Sequence, residues 1–414
     1  MPLECPPQLS FRKAAPLDHK MILLTLIGPD RTGIIAAVTG QIAAAGARIR
    51  DIEQTVTHTL LSLSVLIDFP TGESDQKPLI KELLFLAKEL GLDLDFQVIG
   101  EAEYRRKSTR HAYVVTILGG EVNAASLARI SGILADHAVN IERISKLTQG
   151  QLRCVEFLIT TAPDLDVKVM TRKLLNAGAG LGVDIAVQKE SLYRRAKRLV
   201  VMDMDSTLIQ IEVIDELARV AGVGEQVAGI TERAMNGELD FQGSLRERVA
   251  LLKGLPAEAL EQVYRNIPLT PGARNLVTIL KRLGYKTAVI SGGFKFFTDR
   301  LKADLGLDYA YANQLEIVDG MVTGAVLGPI VDGARKARLL EEIAEKEGIT
   351  LDQTIAIGDG ANDLPMLGKA GLGIAFNAKA RVREQADFHI NQQNLDSILY
   401  LLGLSEREMA EIAG

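Results

Sequence analysis

Two carboxylates, Asp203 and Asp205, stand directly behind the apolar run Leu199 to Met202, with Ser206 and Thr207 next. A strand that ends in acids sets them at the carboxyl edge of a sheet, where ligands of parallel sheets bind. Two carboxylates there can hold a hard cation through oxygen. A carboxylate can also attack phosphorus and form an aspartyl-phosphate. Taken alone, the pair serves equally as a turn cap. A second run of this kind, Ile355 to Ile357, ends at Gly358-Asp359-Gly360, and Asn362 and Asp363 follow. Asp359 can complete a Mg²⁺ shell with Asp203. Asn362 can donate an amide hydrogen bond, and Asp363 can orient Lys336 or a metal-bound water. Between the two runs, Ser291-Gly292-Gly293 follows the strand Lys286 to Ile290. A hydroxyl and backbone amides of small residues can cradle a phosphoryl group. Lys336 lies near the start of the helical run Ala334 to Lys346, and one fixed ammonium offsets phosphate charge. Singly, an Asp-Gly or Ser-Gly turn is common, and a lone Lys is a solvated surface residue. Four such elements in order, each behind a strand or on a helix start, make coincidence a poor account.

The elements that must position these groups follow from periodicity. From Leu199 onward, the short apolar strands Leu199–Met202, Lys286–Ile290, Thr354–Ile357 and Gly371–Ala375 alternate with helical patterns. That alternation predicts an α/β fold with a parallel sheet. The segment from about Ile214 to Asn275 is helix-rich and reads as an inserted cap over the site. The N-terminal half contains a repeat. Gly28 and Gly120 close similar apolar strands 92 positions apart, and the same offset pairs Ile49 with Ile141 and Ile52 with Ile144. Helical patterns over Ile34–Ala45 and Leu127–His137 precede apolar strands at Leu60–Phe69 and Leu152–Thr160. Tyr104-Arg-Arg-Lys107 and Tyr193-Arg-Arg195 end the copies at an offset of 89. Each copy reads strand, helix, strand, strand, helix, strand, the ferredoxin-like arrangement. The expected organisation is an extension over 1–19, domains at 20–100 and 111–190, and a larger domain over 197–404. Charged stretches at Glu101–Arg110 and Lys189–Arg198 read as linkers.

The 414 residues carry a formal net charge of −6 and no long basic run, which argues against nucleic acid as a partner. Cys5 and Cys154 are too few and too far apart for a disulfide framework, so a reducing cytoplasm is the expected location. Glu4, Pro6, Pro7, Arg12 and Lys13 interrupt the first twenty residues, and no signal peptide is expected there. No apolar run is long enough for a membrane span.

These residues resemble the haloacid dehalogenase superfamily over roughly Arg198 to Leu402. Asp203-Met-Asp-Ser-Thr207, Ser291-Gly-Gly293, Lys336 and Gly358-Asp-Gly-Ala-Asn-Asp363 correspond to that family's four motifs in order. The resemblance narrows to its phosphoserine phosphatase family. It implies Asp203 as nucleophile and Asp205 as general acid and base. It implies Mg²⁺ on Asp203, Asp359 and the Asp205 backbone carbonyl. Ser291, Gly292, Lys336 and Asn362 would hold the phosphate, with Gly293 and Asp363 in support. By the same resemblance Glu212 would recognise the ammonium of O-phospho-L-serine and Arg248 its carboxylate, with Met235 and Phe241 as an apolar wall. The implied reaction is hydrolysis to L-serine and phosphate, the last step of serine biosynthesis. Phosphoryl transfer, another small phosphomonoester, or an amino-acid-binding regulatory role are the other readings. The N-terminal repeat resembles tandem ACT domains, with Gly28-Pro-Asp-Arg-Thr-Gly33 as the ligand loop of the first copy. Ala125 stands in the second copy where the first has Gly33. L-serine as a ligand and pairing into a homodimer are the roles this resemblance implies.

Overall fold

The computed structural model describes residues 20–69, 77–100, 111–379, 382–383, 386 and 388–414. The expected extension over 1–19, with Cys5, and the repeat end at Tyr104–Lys107 lie outside the described residues. The chain forms one compact unit up to Arg110 and a second from His111 onward.

In the first unit, β1 (Lys20–Pro29), α1 (Ile34–Ala44), β2 (Arg48–Thr57), β3 (Leu60–Asp68), α2 (Lys77–Leu90) and β4 (Asp93–Gly100) build a four-stranded antiparallel sheet in the order β2-β3-β1-β4. Alternate residues Ile22, Leu24 and Leu26 of β1 face the helices, as do Leu61, Leu63, Val65 and Ile67 of β3. The spacing of four in Ile34, Val38 and Ile42 lays one stripe of α1 on them.

The second unit begins with the repeat's other copy. It comprises β5 (His111–Gly119), α3 (Ala124–Asp136), β6 (Asn140–Lys146), β7 (Cys154–Thr161), α4 (Val167–Leu181) and β8 (Val183–Lys189). Its order, β6-β7-β5-β8, repeats that of the first sheet. The charged stretch after β8, expected as a linker, is a packed joint. A short helix α5 (Leu192–Arg195) sits there, and Arg194 and Lys197 are buried. Glu156 on β7 pairs with Arg194 and compensates its charge.

The rest of the unit is a seven-stranded sheet in the order β12-β11-β10-β9-β13-β14-β15. Its elements are β9 (Leu199–Met202), α6 (Val213–Val220), α7 (Gly224–Met235), α8 (Phe241–Ala250), α9 (Ala257–Arg265), α10 (Ala273–Arg282), β10 (Lys286–Phe294), α11 (Lys295–Leu305), β11 (Tyr309–Val318) and β12 (Met321–Leu327). They continue with α12 (Gly333–Lys346), β13 (Thr354–Gly358), α13 (Leu364–Lys369), β14 (Gly373–Phe376), β15 (Phe388–Ile390), α14 (Ile398–Leu401) and α15 (Glu406–Ala413). All neighbours are parallel except β11 and β12. Both faces of the sheet are covered. Val200 and Met202 belong to one core, and Leu199 and Val201 to the other. That explains why β9 reads as an unbroken apolar run. Helices α6 to α9 form the insertion, and Ile209 and Leu269 bridge where the chain enters and leaves it.

The antiparallel hairpin β11–β12 was not foreseen. Asn313, Gln314 and Glu316 break its apolar pattern, and the hairpin edge packs on the cap through α8 and a bridge from Pro256 to Met321.

Candidate active site

Register brings the acids together. Met202 of β9 lies beside Val289 of β10 and Ile357 of β13. One residue further on, Asp203 is therefore level with Ile290 and Gly358. Its backbone N–H donates to the Ile357 carbonyl at 2.8 Å. Here the chain order reverses between neighbouring strands, the place where open parallel sheets bind ligands.

Lys336 projects from the first turn of α12, whose N-terminus is capped by Asp332 accepting from Arg335 N–H at 2.9 Å. The ammonium is fully buried and lies 2.8 Å from Asp203 Oδ1 and 2.7 Å from Asp363 Oδ1. Asp203 Oδ1 also accepts the Met204 N–H at 2.7 Å. Among the described residues, no donor reaches Asp203 Oδ2. Asp363 Oδ2 accepts the Gly360 N–H at 3.0 Å, so both of its oxygens are engaged. A Cβ on Gly358 would come within 2.4 Å of Asp363 Cγ, so glycine is required there.

Asp205 points elsewhere. Its Oδ1 accepts the Val213 N–H at 3.0 Å and its Oδ2 the Ser291 hydroxyl at 3.3 Å. A Cβ on Gly293 would stand 2.7 Å from that Oδ2. Ser206 takes a left-handed φ of 55° and donates its hydroxyl to Glu212 Oε1 at 2.8 Å. A strained non-glycine residue is the kind of feature a functional site retains.

Carboxylate oxygens of Asp203, Asp359 and Asp363 lie within 4.8 Å of one another, a donor set suited to a hard divalent cation. Because Lys336 and Gly360 occupy Asp363, the first two offer the freer oxygens. The Asp205 carboxylate is outside this trio.

Burial of so much charge shifts protonation. Burial first, and Asp363 second, hold Asp203 well above the ordinary carboxylate range, with Lys336 opposing them. Burial and then Glu212 raise Asp205 to about 7. Burial, Asp363 and Glu212 raise Asp359 to about 7 as well. Burial alone would depress Lys336, yet Asp203 and Asp363 together hold it above its usual value. Raised carboxyls favour the fold in their neutral form, so that contribution is complete below about 3.9 and lost as pH rises through about 7. Metal-free protein should therefore lose thermal stability between about pH 4 and pH 7 and level off above that, and Asp359→Asn should flatten the loss. Thermal denaturation at fixed ionic strength checks this; an identical slope in the variant would refute it.

The cap supplies the other groups. Burial lowers Arg248 on α8 from its usual value, and the negative charges of Asp215, Glu212 and Asp205 oppose the shift. Arg248 Nε donates to the Ser244 carbonyl at 3.3 Å, and Glu212 accepts from Ser206, the neighbour of Asp205. Phe241 begins α8, and its ring would be 2.7 Å from a Cβ on Gly292. Met235 ends α7 and is 63% exposed. Asn362 is half-buried, its side chain against Gly360.

Sequence reasoning missed three positioning groups. Thr207, fully buried, donates to Asp359 Oδ1 at 3.2 Å. Asn313 donates to the Gly292 carbonyl and accepts from the Val331 N–H, both at 2.8 Å, fixing the Ser291–Gly293 turn. Gln242 on the cap donates to Asp332 Oδ2 at 2.8 Å, tying α8 to the cap of the lysine helix. An asparagine directly behind the apolar run Tyr309 to Ala312 was the one signal available.

The sheet, the helical insertion and the acids at the strand ends define a haloacid dehalogenase-like hydrolase, and the chain matches that family over residues 200–368. It matches ACT domains over residues 20–97 and 110–188. The phosphoserine phosphatase of Streptomyces coelicolor is 45% identical, with 95% of this chain and 94% of the relative covered. That of Archaeoglobus fulgidus is 46% identical over 82% of this chain and 98% of its own length. A solved HAD family hydrolase from Salmonella enterica serovar Typhi is 33% identical with a TM-score of 0.62, covering 70% of this chain and 98% of that one. The chain belongs to the phosphoserine phosphatase family of haloacid dehalogenase-like hydrolases, with two ACT domains ahead of the catalytic one.

Proposed function

We propose that this enzyme hydrolyses O-phospho-L-serine to L-serine and phosphate in two steps through Asp203. The observation that carries the reading is the asymmetry of Asp203. Lys336 and the Met204 amide fix Oδ1, and no donor among the described residues reaches Oδ2. Oδ2 attacks phosphorus, the Asp203 O–P bond forms, and the bond from phosphorus to the serine oxygen breaks. Asp205, held near 7 and so partly protonated at neutral pH, gives its proton to the departing oxygen. It then takes a proton from the water that attacks the phosphorus, and the Asp203 O–P bond breaks. Ser291, the Gly292 turn and Asn362 hold phosphoryl oxygens, and Lys336 offsets their charge. Asp203, Asp359 and the Asp205 carbonyl would hold Mg²⁺, which supplies positive charge beside the phosphoryl oxygens when bound.

Glu212 and Arg248 at the cap mouth suit an ammonium and a carboxylate. Arg248→Ala should raise KM for phosphoserine at least tenfold, about 1.4 kcal/mol or more, while leaving a phosphomonoester of an uncharged alcohol within twofold. Equal losses on both substrates would refute that assignment. The reading as a whole is tested by phosphate release from O-phospho-L-serine with Mg²⁺ and after metal removal by EDTA. Release should vanish on chelation and return with Mg²⁺; release that survives chelation would sink the metal. Transfer to an added alcohol in preference to water would make the enzyme a phosphotransferase. The place in serine biosynthesis, the cytoplasm and a homodimer paired through the ACT domains complete the proposal. No described helix is long and apolar enough to cross a membrane. L-serine as a ligand of the ACT domains belongs to the same proposal.

A further inference from the structure

A cleft of about 1310 Å³ opens between α4 and β8 of the second ACT domain, the joint around α5, and the edge strand β15 of the catalytic sheet. It shares no residue with the acid cluster. Its lining is lopsided in charge. Lys168, Arg172, Lys189, Arg194, Lys197 and Arg383 carry cations, and Asp352 is the one carboxylate among the described lining residues. Exposed lysines and arginines are ordinary, but two of these are not exposed. Arg194 is 3% and Lys197 5% exposed. Buried cations are expected to be paired and fully hydrogen-bonded.

Neither is fully satisfied from within the chain. Arg194 pairs with Glu156 through Nη2, and its Nη1 stands 3.6 Å from Glu190 Oε2. Its Nε and Nη1 have no hydrogen-bond partner. Lys197 donates to an uncharged acceptor, the Asp352 carbonyl, at 2.6 Å. Burial draws Lys197 down to about 8, and Asp352 opposes the shift. A buried cation short of partners costs free energy, and an anion in the cleft would offset part of that cost through its field.

We propose that this cleft binds a small polyanion carrying several phosphate or carboxylate groups. The cations come from α4, from the joint and from the segment before β15, so one charge on the ligand would not satisfy them. The volume is ample for such a molecule. One wall belongs to the ACT domain and the other to the catalytic domain, so a bound polyanion ties the two together.

The test is calorimetric titration of the intact, metal-stripped chain at fixed ionic strength. Inorganic tripolyphosphate is the probe in one arm and citrate in the other. Without divalent cations the acids of the active site repel anions. One-site saturable binding is expected in at least one arm, and the arm that binds identifies the group recognised. Lys168→Gln combined with Arg172→Gln, both exposed and safe for folding, should weaken the affinity at least tenfold. An excess of O-phospho-L-serine should leave it unchanged. No saturable heat in either arm, unaltered affinity in the double variant, or displacement by phosphoserine would each overturn the proposal.

Discussion

Asp203→Asn should lower phosphate release from O-phospho-L-serine by about 10⁴-fold or more, because removing a covalent nucleophile costs that much when the remaining site is intact. The intact site is the point of the choice. Asn has the same shape, and its amide oxygen can still accept from Met204 N–H and Lys336, which both bind Oδ1. Asp203 is held above the ordinary carboxylate range chiefly by burial and by Asp363, so its anion is costly to bury. The variant should therefore fold, and in the metal-free state it should melt no lower than the parent at alkaline pH. Acid-quenched parent protein should carry a phosphate mass on the peptide containing Asp203, and the variant none. Activity within tenfold of the parent, in a variant that folds, would remove Asp203 from the chemistry. Asp205→Asn makes the contrast. It should slow both steps yet still allow some phosphorylation of Asp203, since a poorer leaving group is not an absent nucleophile.

The strand ends were legible because the signal is local. Leu199 to Met202 and Ile355 to Ile357 are short apolar runs; an acid follows the first directly and the second after one glycine, Gly358. A parallel sheet then aligns them by register, which needs no further information from the sequence. Lys336 was legible only by its place on a helix start. Its burial between two carboxylates depends on Asp363, which lies 27 residues away. Asn313 was illegible for a different reason. Both of its partners are backbone atoms, the Gly292 carbonyl and the Val331 amide, and backbone partners leave no trace in residue type. The joint misled in the opposite direction. Arg194 and Lys197 sit in a charged stretch that reads as solvated, yet both are buried against groups distant in sequence, Glu156 and Asp352. Charge runs predict exposure only where no long-range partner exists. The hairpin β11–β12 was lost because an edge that packs on the cap is half-buried and half-polar, and its pattern resembles neither a central strand nor a loop.

Lys336→Met should be the substitution most damaging to stability, with a large loss of rate besides. The ammonium is fully buried between Asp203 and Asp363, and its attraction to them outweighs its own desolvation. Methionine fills similar volume but leaves two buried carboxylates facing each other. Removing one partner of such a pair costs about 3–5 kcal/mol. The chain can relieve this by taking up a proton, so the loss should be largest at alkaline pH and shrink toward about pH 5. Activity should fall by at least about 10²–10³-fold, the loss typical for one preorganised charge at a transition state. A second substitution separates the two effects. Lys336→Met with Asp363→Asn removes both members of one pair, which is far less costly than removing one. Thermal stability should recover in large part, while turnover stays low, because the ammonium beside the phosphoryl group and Asp203 is still missing. Recovery of turnover along with stability would mean that Lys336 is a structural counter-ion alone. A single variant that melts like the parent at alkaline pH would mean that the two carboxylates are never charged together, and the electrostatic account of this site would fail.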